Sequence, residues 1–359
     1  MFTASYHHHR LIFRQPSGTS RGVLHHRDSY FLLLRDSSNP AVAGIGECGV
    51  IPGLSPDDRP GFSQRIEQLC NEINHSGISG ISSLHEWPSL NFALETALLD
   101  YSGGGNRILF ESGFTAGKTA IPINGLIWMG DEEFMLKQIL ERLASGYRVI
   151  KIKVGAIDFN TELKLIAGIR RHFSEKEITI RLDANGAFSP QEAMEKLDRL
   201  AVYDIHSIEQ PIKPGNSAVM ADICRSSPIA VALDEELTGI TETREKRRLL
   251  EIIRPQYIIL KPSLLGGFEA SAEWIGLAES LGAGWWITSA LESNIGLNAI
   301  AQWTATLGNH LPQGLGTGSL YTNNISSPLE SGNGVLRFLP EQPWDLTHTG
   351  IDNPIPHQP

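Results

Sequence analysis

The chain has 359 residues, of which 41% are hydrophobic and 19% charged, so it is long enough for one large domain or two unequal ones. Its 30 Lys and Arg residues against 40 Asp and Glu residues give a net charge of −10, which argues against non-specific binding to nucleic acid or acidic membranes. The three cysteines are too few and too far apart for a disulfide framework or a thiolate metal site. No apolar run of about 18 residues predicts a membrane span, and no signal-peptide core opens the chain. A cytoplasmic protein is therefore expected.

The first predicted elements are strands. Residues 30–34 and 41–47 are rich in strand-forming side chains and are separated by a turn-forming cluster over residues 36–40. Upstream, the apolar residues 11–13 directly follow the histidines 7–9. That histidine run is interpreted as a polar stretch entering a first strand, with a metal cluster or a purification tag as the less favoured alternatives.

Two helices are predicted next, over residues 60–75 and 89–101. In the second of them, apolar side chains such as Phe92, Leu98 and Leu99 recur at helical spacing. Strands followed by helices, up to about Gly117, predict an α+β domain.

From Ile121 onward, short β-rich runs alternate with longer helical segments, which is the pattern of a parallel sheet. The eight runs cover residues 121–126, 149–154, 178–182, 207–209, 229–233, 257–260, 285–288 and 314–318. The helical segments between them include residues 160–173, 190–201, 240–252 and 268–281. Eight runs predict a closed β/α barrel. An open doubly wound sheet is the alternative, and the lack of a G-x-G-x-x-G sequence after an early strand counts against it. The tail from about Tyr321 is expected to pack back on the first domain.

Charged side chains end five successive runs of the predicted barrel. In chain order they are Lys151 and Lys153, Asp183, Glu209, Asp234 and Lys261. From Asp183 onward the steps are 26, 25 and 27 residues, about one β/α unit each. The carboxyl ends of barrel strands meet at one rim, where the active sites of such barrels lie, so these groups are expected to converge.

Three carboxylates without a histidine or a thiolate make an oxygen-rich site. Such a site suits Mg²⁺, or Mn²⁺ as an alternative, better than Zn²⁺. A lysine that lies beside a bound cation and is partly removed from water has its neutral form favoured, so it can act as a base near neutral pH. The rim therefore predicts a metal-dependent enzyme that removes a proton next to a carboxylate and stabilises the resulting enediolate.

Side-chain alternation selects the base. Lys151 and Lys153 lie two residues apart on one strand, so both point to the inward face. Lys153 is nearer the rim and is predicted to be the base, whereas Lys151 holds Lys153 or a metal-bound carboxylate in place. Asp234 is assigned to the metal, and Glu235, which points the other way, is assigned to orienting a lysine.

The series Lys-x-Lys, Asp-x-Asn, Glu-Gln-Pro, Asp-Glu and Lys-Pro resembles the enolase superfamily, in its muconate-lactonizing subgroup, over most of the chain. The use of a lysine or histidine base with Mg²⁺ is implied by that resemblance. The implied fold is α/β: a (β/α)7β TIM-like barrel over residues 119–320, with an α+β capping domain over residues 1–118 that is joined by the tail 321–359. Residues 44–47 look like a strand of that capping domain.

Four segments further resemble the o-succinylbenzoate synthase family within that subgroup. They are residues 19–22, 261–267, 289–293 and 314–318. Enzymes of that family dehydrate 2-succinyl-6-hydroxy-2,4-cyclohexadiene-1-carboxylate to o-succinylbenzoate in menaquinone biosynthesis. The resemblance therefore implies a hydro-lyase that acts on a small carboxylate.

The resemblance also implies a role for each site residue. Lys153 is the base and then the acid to the departing hydroxide, with Lys261 as the electrostatic partner across the ring. The implied metal ligands are Asp183, Glu209 and Asp234, and the supporting residues are Lys151, Asn185 and Glu235. The residues implied to contact the substrate are Arg21, Gly266, Gly267, Ser289, Glu292 and Thr317. Loops 19–22 and 50–54 are expected to close over the site as lids.

Other functions stay open at this point. An N-acyl amino acid racemase or a dipeptide epimerase is one, because lysines on both sides of a pocket allow a two-base proton transfer. Dipeptide epimerases tend to carry Asp-x-Asp near the eighth strand, where this chain has Gly316-Thr317-Gly318. A muconate-type cycloisomerase and a binding protein without catalysis are less favoured. No nucleic-acid or membrane partner is expected, and the oligomeric state stays open, a homo-oligomer included.

Overall fold

A three-stranded antiparallel sheet opens the chain. The computed structural model describes residues 1–19, 22–128, 130–347 and 349–351. The sheet has the spatial order β1-β2-β3, and its strands are Phe2–Thr19 (β1), Gly22–Asp36 (β2) and Asn39–Gly49 (β3). The two helices that follow are Phe62–Ser76 (α1) and Pro88–Ser102 (α2). Both predicted strands lie within β2 and β3, both predicted helices are present, and the histidines 7–9 lie inside β1.

Alternation along β2 buries both faces of this sheet. Leu32 and Leu34 pack against α1 and α2, whereas Phe31 and Leu33 pack on the opposite face against the C-terminal part of the chain. The run of apolar residues that predicted the strand is therefore continuous because neither face is open to water.

The helix α2 approaches β3 backbone to backbone. A Cβ atom at Gly44 or Gly46 would lie 2.0 Å or 1.8 Å from the carbonyl oxygen of Ala97 or Ala93 in α2. Only glycine allows this approach, so the Gly-x-Gly spacing sets the distance between strand and helix.

A two-residue strand, Ile121–Pro122 (β4), precedes a curled sheet of seven parallel strands with the order β11-β10-β9-β8-β7-β6-β5. Its strands are Gly125–Ile127 (β5), Val149–Lys153 (β6), Thr179–Asp183 (β7), Ile205–Glu209 (β8), Val231–Leu233 (β9), Tyr257–Leu260 (β10) and Gly284–Ile287 (β11). The helices are Glu132–Ala144 (α3), Phe159–His172 (α4), Ala193–Ala201 (α5), Ser217–Ser226 (α6), Thr243–Ile253 (α7), Pro262–Leu265 (α8), Phe268–Ser280 (α9) and Asn294–Thr306 (α10).

A short eighth segment closes the barrel. Gln313 bridges in parallel to Ile123, and Gly314 bridges in parallel to Thr288. The backbone N–H of Gln313 donates to the carbonyl of Pro122 at 2.8 Å. The fold is therefore a (β/α)7β TIM-like barrel with an α+β capping domain, as predicted, although the eighth strand is shorter than the run 314–318.

The first predicted barrel run, residues 121–126, forms two strands with different partners. β4 pairs with the C-terminal hairpin Leu329–Gly332 (β12) and Val335–Phe338 (β13), whereas β5 pairs with β6. On either side of this hairpin the tail packs on the capping sheet, where Ile325 before it and Ile351 after it cover Phe31 and Leu33.

The main hydrophobic core lies between the barrel strands and their helices. Ile150, Ile152 and Ile180 belong to it and are buried. Because Ile150 and Ile152 face the helices, Lys151 and Lys153 face the barrel interior. Among the described residues, no helix combines the length and the apolar character that crossing a bilayer requires.

Candidate active site

The charged rim forms at the carboxyl ends of the barrel strands. In the parallel register Lys153 is the partner of Asp183, and Asp183 is the partner of Glu209, so the three lie side by side on β6, β7 and β8. Asp234 follows β9 and starts a 3₁₀ turn, and Lys261 follows β10. The groups that the regular spacing predicted to converge are thus on one rim.

Two lysines contact the same carboxylate. The Nζ of Lys153 donates to Asp183 Oδ2 at 2.9 Å and to Asn185 Oδ1 at 2.6 Å. The Nζ of Lys151 lies 2.9 Å from the same Asp183 oxygen and 2.6 Å from Glu209 Oε2. Lys151 therefore links two carboxylates, whereas Lys153 contacts Asn185 just beyond the strand end.

A third lysine faces these groups from the other side. β10 is four strands away from β6, so Lys261 and Lys153 lie on opposite sides of the closed barrel. The Nζ of Lys261 donates to Asp234. Burial lowers the pKa of Lys261, but the charges of Asp234 and Glu235 outweigh burial and raise that pKa. Glu235 Oε1 accepts from Asn185 Nδ2 at 3.1 Å, so Glu235 reaches Lys153 through Asn185.

The charges of the rim shift one another strongly. Burial raises the pKa of Asp183, but Lys151 and Lys153 outweigh burial and hold it well below its usual range. Burial lowers the pKa of Lys151, but the charges of Asp183 and Glu209 outweigh burial, so the pKa of Lys151 is raised. Burial and the Asp183 charge raise the pKa of Glu209 well above its usual range, although Lys151 lies 2.6 Å away. The lysines thus do not fully offset the combined effect of burial and of the repulsion between the carboxylates on Glu209.

The donor set suits a hard divalent cation. Three carboxylates on neighbouring strands supply oxygen donors only, which Mg²⁺ prefers. Glu209 Oε1 is buried and has no hydrogen-bond partner among the described residues, so its lone pairs are open to a ligand. Within the described part of the chain no three His, Cys, Asp or Glu side chains form a preformed metal site. Lys151 contacts both Asp183 and Glu209, so it keeps these two carboxylates close together.

A cavity of about 390 Å³ lies above the rim, between the barrel and the capping domain. Its polar floor includes Asn124, Lys151, Lys153, Asp183, Asn185, Glu235, Lys261, Thr288, Ser289 and Thr317. Its apolar roof includes Ile51, Pro52 and Leu54 of the predicted lid 50–54, and Val23 and Leu24, which directly follow the predicted lid 19–22. The cavity can therefore take a small molecule whose charged end faces the lysines and whose apolar body faces the cap.

Two of the residues implied to contact substrate line this cavity, and others do not. Ser289 and Thr317 are on its wall, with their hydroxyl oxygens 2.6 Å apart. Glu292 is buried behind that wall, where it accepts from Ser263 Oγ and from the backbone N–H of Ala290, the latter at 2.8 Å. Glu292 therefore fixes the loop between β11 and α10 and does not line the cavity.

The pair Gly266 and Gly267 lies at the contact between barrel and cap. The carbonyl of Gly266 accepts from Asn91 Nδ2 at 2.7 Å. Beside Gly267, the Glu95 carboxylate of α2 accepts the backbone N–H of Phe268 at 2.5 Å, at the start of α9. These glycines are not among the residues that line the cavity, and the lack of a side chain at Gly267 makes room for Glu95 of α2. Arg21, with its neighbour Ser20, lies outside the described residues.

Some features of the site were not expected from the sequence. Asn185 and Gln210 have φ angles of 44° and 41°, in the left-handed region that non-glycine residues seldom adopt. Gln210 Oε1 accepts the backbone N–H groups of Asp234 and Glu236, both at 3.2 Å, so it fixes the turn that carries Asp234. The Glu-Gln-Pro motif contained this glutamine without indicating that role. His25, His26, Leu126, Trp128 and Leu291 also line the cavity.

A buried ion pair of the cap contacts the barrel next to the cavity. The Nη1 of Arg27 lies 3.1 Å from Glu47 Oε1, and both side chains are almost fully buried. Glu47 Oε1 also accepts from Ser29 Oγ at 2.7 Å and from the N–H of Ser293 at 2.9 Å. Glu47 Oε2 accepts from Ser293 Oγ at 2.5 Å and from the N–H of Gly296 at 2.9 Å. A cap residue thus supplies the anion at the N-terminus of the barrel helix α10.

Comparisons with known proteins agree with this geometry. The family model described as "Enolase C-terminal domain-like" matches residues 135–343. The chain is 47% identical over 363 aligned positions to an o-succinylbenzoate synthase of Desulfotalea psychrophila (strain LSv54 / DSM 12343), covering 92% of this chain and 98% of the relative. The crystal structure of MenC from Desulfotalea psychrophila LSv54 superposes with a TM-score of 0.83 at 43% identity, over 94% of this chain and 99% of that one. A substrate complex of the L-Ala-D/L-Glu epimerase from Bacillus subtilis superposes with a TM-score of 0.79 at 18% identity, over 95% and 96% of the two chains, which shows a shared fold.

Proposed function

Because the chain belongs to the enolase superfamily and, within it, to the o-succinylbenzoate synthase family, we propose that it dehydrates 2-succinyl-6-hydroxy-2,4-cyclohexadiene-1-carboxylate to o-succinylbenzoate in menaquinone biosynthesis. It is a carbon–oxygen lyase. The observation that carries this proposal is the pair of lysines on opposite sides of one cavity, with carboxylates between them.

The proposed reaction starts at the carbon next to the ring carboxylate. Lys153 in its neutral form takes the proton from this carbon, and the electrons of the C–H bond pass to the carboxylate as an enediolate. Lys153 then gives the proton to the departing hydroxide, water leaves, and the enediolate electrons form the new ring double bond. One group serves both steps, so the elimination is syn. Lys261 holds a positive charge on the opposite side of the ring and stabilises the enediolate.

The proposed cofactor is Mg²⁺, with Mn²⁺ as the alternative, and its proposed ligands are Asp183, Glu209 and Asp234. When bound, the cation supplies positive charge at the substrate carboxylate. Glu209 Oε1, which has no hydrogen-bond partner in the described part of the chain, and the all-oxygen donor set support this assignment.

Three further residues are proposed to hold the reacting groups. Lys151 keeps Asp183 and Glu209 at a fixed separation, which its contacts of 2.9 Å and 2.6 Å support. Asn185 orients Lys153, and Glu235 in turn orients Asn185, as the chain of hydrogen bonds between them suggests.

The substrate contacts, domain bounds and location belong to the same proposal. Ser289 and Thr317 are proposed to contact the substrate, because both line the cavity. The division into a cap over residues 1–118 and 321–359 and a barrel over residues 119–320 is supported by the packing of Ile325 on Phe31. A cytoplasmic location is supported by the three cysteines, which are free and buried.

The test is to incubate the purified protein with the cyclohexadiene substrate and Mg²⁺ and to follow ring aromatisation by ultraviolet absorbance. Lys153→Ala is expected to lower kcat by about a thousandfold, the scale of a lost general base, while calorimetry still detects metal binding. Lys164→Ala, which removes an exposed lysine of α4, is the matched control. Turnover at the parent rate by Lys153→Ala would refute the assignment of the base.

Racemisation of N-acyl amino acids is the second candidate, because two lysines on opposite sides of the cavity could each exchange one proton. Incubation in deuterium oxide with an N-acyl amino acid separates the two candidates. Rapid exchange of the α-proton without any aromatisation of the cyclohexadiene would favour racemisation over dehydration.

A further inference from the structure

The wall of the cavity contains a leucine in a strained backbone conformation. Leu291 follows β11 and has a φ of 65°, in the left-handed region that leucine seldom adopts. Its side chain lines the cavity and packs in one apolar cluster with Leu24, Ile51 and Leu54 of the cap. The strained residue therefore completes the apolar part of the cavity wall.

Two buried donors from distant parts of the chain hold this residue. The carbonyl of Leu291 accepts from Arg27 Nη1 at 2.8 Å and from the hydroxyl of Tyr321 at 2.6 Å. Arg27 belongs to the cap, and Tyr321 starts the C-terminal tail. Neither side chain lines the cavity, so both act on its wall only through the Leu291 backbone. A strained backbone conformation persists only where surrounding contacts enforce it. At Leu291, the hydrogen bonds from Arg27 and Tyr321 to the carbonyl are such contacts.

We propose that Arg27 and Tyr321 are positioning residues, which keep Leu291 left-handed so that its side chain completes the wall against the ring of the substrate. This inference rests on the proposed function, because the ring-bearing ligand is the one that the wall receives. The apparent affinity for that ligand scales with the fraction of molecules in which the wall is formed. Loss of a donor lowers this fraction and leaves the lysines and carboxylates of the rim in place.

The first test is Tyr321→Phe, which removes one hydroxyl and keeps the ring. We expect KM to rise about fivefold, equivalent to about 1 kcal/mol and typical of one hydrogen bond, with kcat nearly unchanged. Tyr147→Phe is the matched control, because Tyr147 is a buried tyrosine of the barrel core away from this wall. A fall in kcat with KM unchanged would contradict a positioning role.

The second test combines Tyr321→Phe with Leu291→Gly. Glycine adopts the left-handed conformation without strain, so it needs no donor to hold it. Leu291→Gly alone should weaken binding because it removes a wall side chain. In that background, however, adding Tyr321→Phe should change KM by less than about twofold. A further rise of about fivefold in the double variant, as large as in the parent, would overturn the proposal.

Arg27→Lys provides the same comparison for the second donor. Lysine keeps a positive charge near Glu47 but cannot reproduce the guanidinium contacts. We expect KM to rise in the parent background and to change little in Leu291→Gly, and equal effects in both would overturn this part. If Arg27→Lys does not fold, the Tyr321 cycle alone decides.

Binding of o-succinylbenzoate itself, measured by calorimetry, separates the two proposals. If the parent protein neither turns over the cyclohexadiene nor binds o-succinylbenzoate, both the proposed function and this inference fail. If the parent binds o-succinylbenzoate and Tyr321→Phe binds it equally well, only the positioning role fails.

Discussion

Replacing Glu47 with glutamine tests the contact between the capping domain and the barrel. Its two oxygens accept from five donors, including the charged Arg27 and the first N–H groups of α10. Glutamine has one oxygen and one NH₂ group of the same shape. In either orientation the NH₂ group faces at least two donors, so hydrogen bonds are lost and Arg27 stays buried without its partner.

The expected loss of stability follows from the burial of this pair. Removing one member of a buried ion pair costs about 3–5 kcal/mol, most of it from the charge left behind. Arg27 also lies near Glu292, which offsets part of that charge, so the lower end of this range is expected. For a protein of this size a loss of about 3 kcal/mol lowers the unfolding midpoint by about 4 °C.

The assay is thermal unfolding followed by circular dichroism, with urea unfolding as the second measurement. Glu192→Gln is the control, because Glu192 forms an exposed pair with Lys196 at 3.5 Å in the next helical turn and its loss should not shift the midpoint. An equal midpoint for Glu47→Gln and the parent would refute the view that the buried contacts of Glu47 with Arg27, Ser293 and Gly296 stabilise the packing of the cap on the barrel.

Three further outcomes are expected. Gly267→Ala should lower the unfolding midpoint by several degrees, because a Cβ there would lie 2.1 Å from Glu95 Oε2 and the φ of 102° is strained for alanine. Gly168→Ala, inside α4 with no close neighbour, is the control and should not lower the midpoint. Burial raises the pKa of Asp57 to about 6, above its unfolded value, so the ionised carboxylate destabilises the protein above that pH. Asp57→Asn should therefore unfold at a higher temperature than the parent near pH 8, and this advantage should vanish as the pH falls towards about 4; an advantage that does not depend on pH would contradict this account. Exhaustive chelation should abolish turnover and added Mg²⁺ or Mn²⁺ should restore it, so activity that survives chelation would exclude the proposed metal.

The rim was predictable because the information that defines it is local. Each β-rich run and the charged residue that ends it lie within five or six positions of sequence, so both can be recognised together. Steps of 25–27 residues then bring these strand ends to one face of a barrel. Alternation then directed Lys151 and Lys153 to the same interior, where both line the cavity. Predicting the rim residues therefore required no knowledge of contacts between distant parts of the chain.

The supporting contacts could not be predicted because they join residues that are far apart in the chain. Glu47 and Ser293 are separated by 246 positions, and neither has a neighbour that indicates the other. Leucine is a poor former of the left-handed conformation, so Leu291 carries no signal of its φ angle. Gln313 and Gly314 have little strand propensity and close the barrel only because both neighbouring strands are already present.

The paired glycines 266 and 267 show a different limit. Glycine indicates that something comes close to the backbone, but it does not indicate whether that neighbour is a ligand or another part of the protein. The resemblance assigned the pair to the substrate, whereas in the structure Asn91 and Glu95 of α2 are next to it.

The covering of Phe31 and Leu33 by Ile325 and Ile351 has a consequence for the order of events during synthesis. The partners leave the ribosome about 300 residues after the strand that they cover. At a synthesis rate of roughly 5–20 residues per second, the apolar face of the first sheet stays exposed for about 15 to 60 seconds before these residues are made. Over this interval the nascent chain exposes an apolar surface, so we expect the early cap to need protection from aggregation, for example by a chaperone.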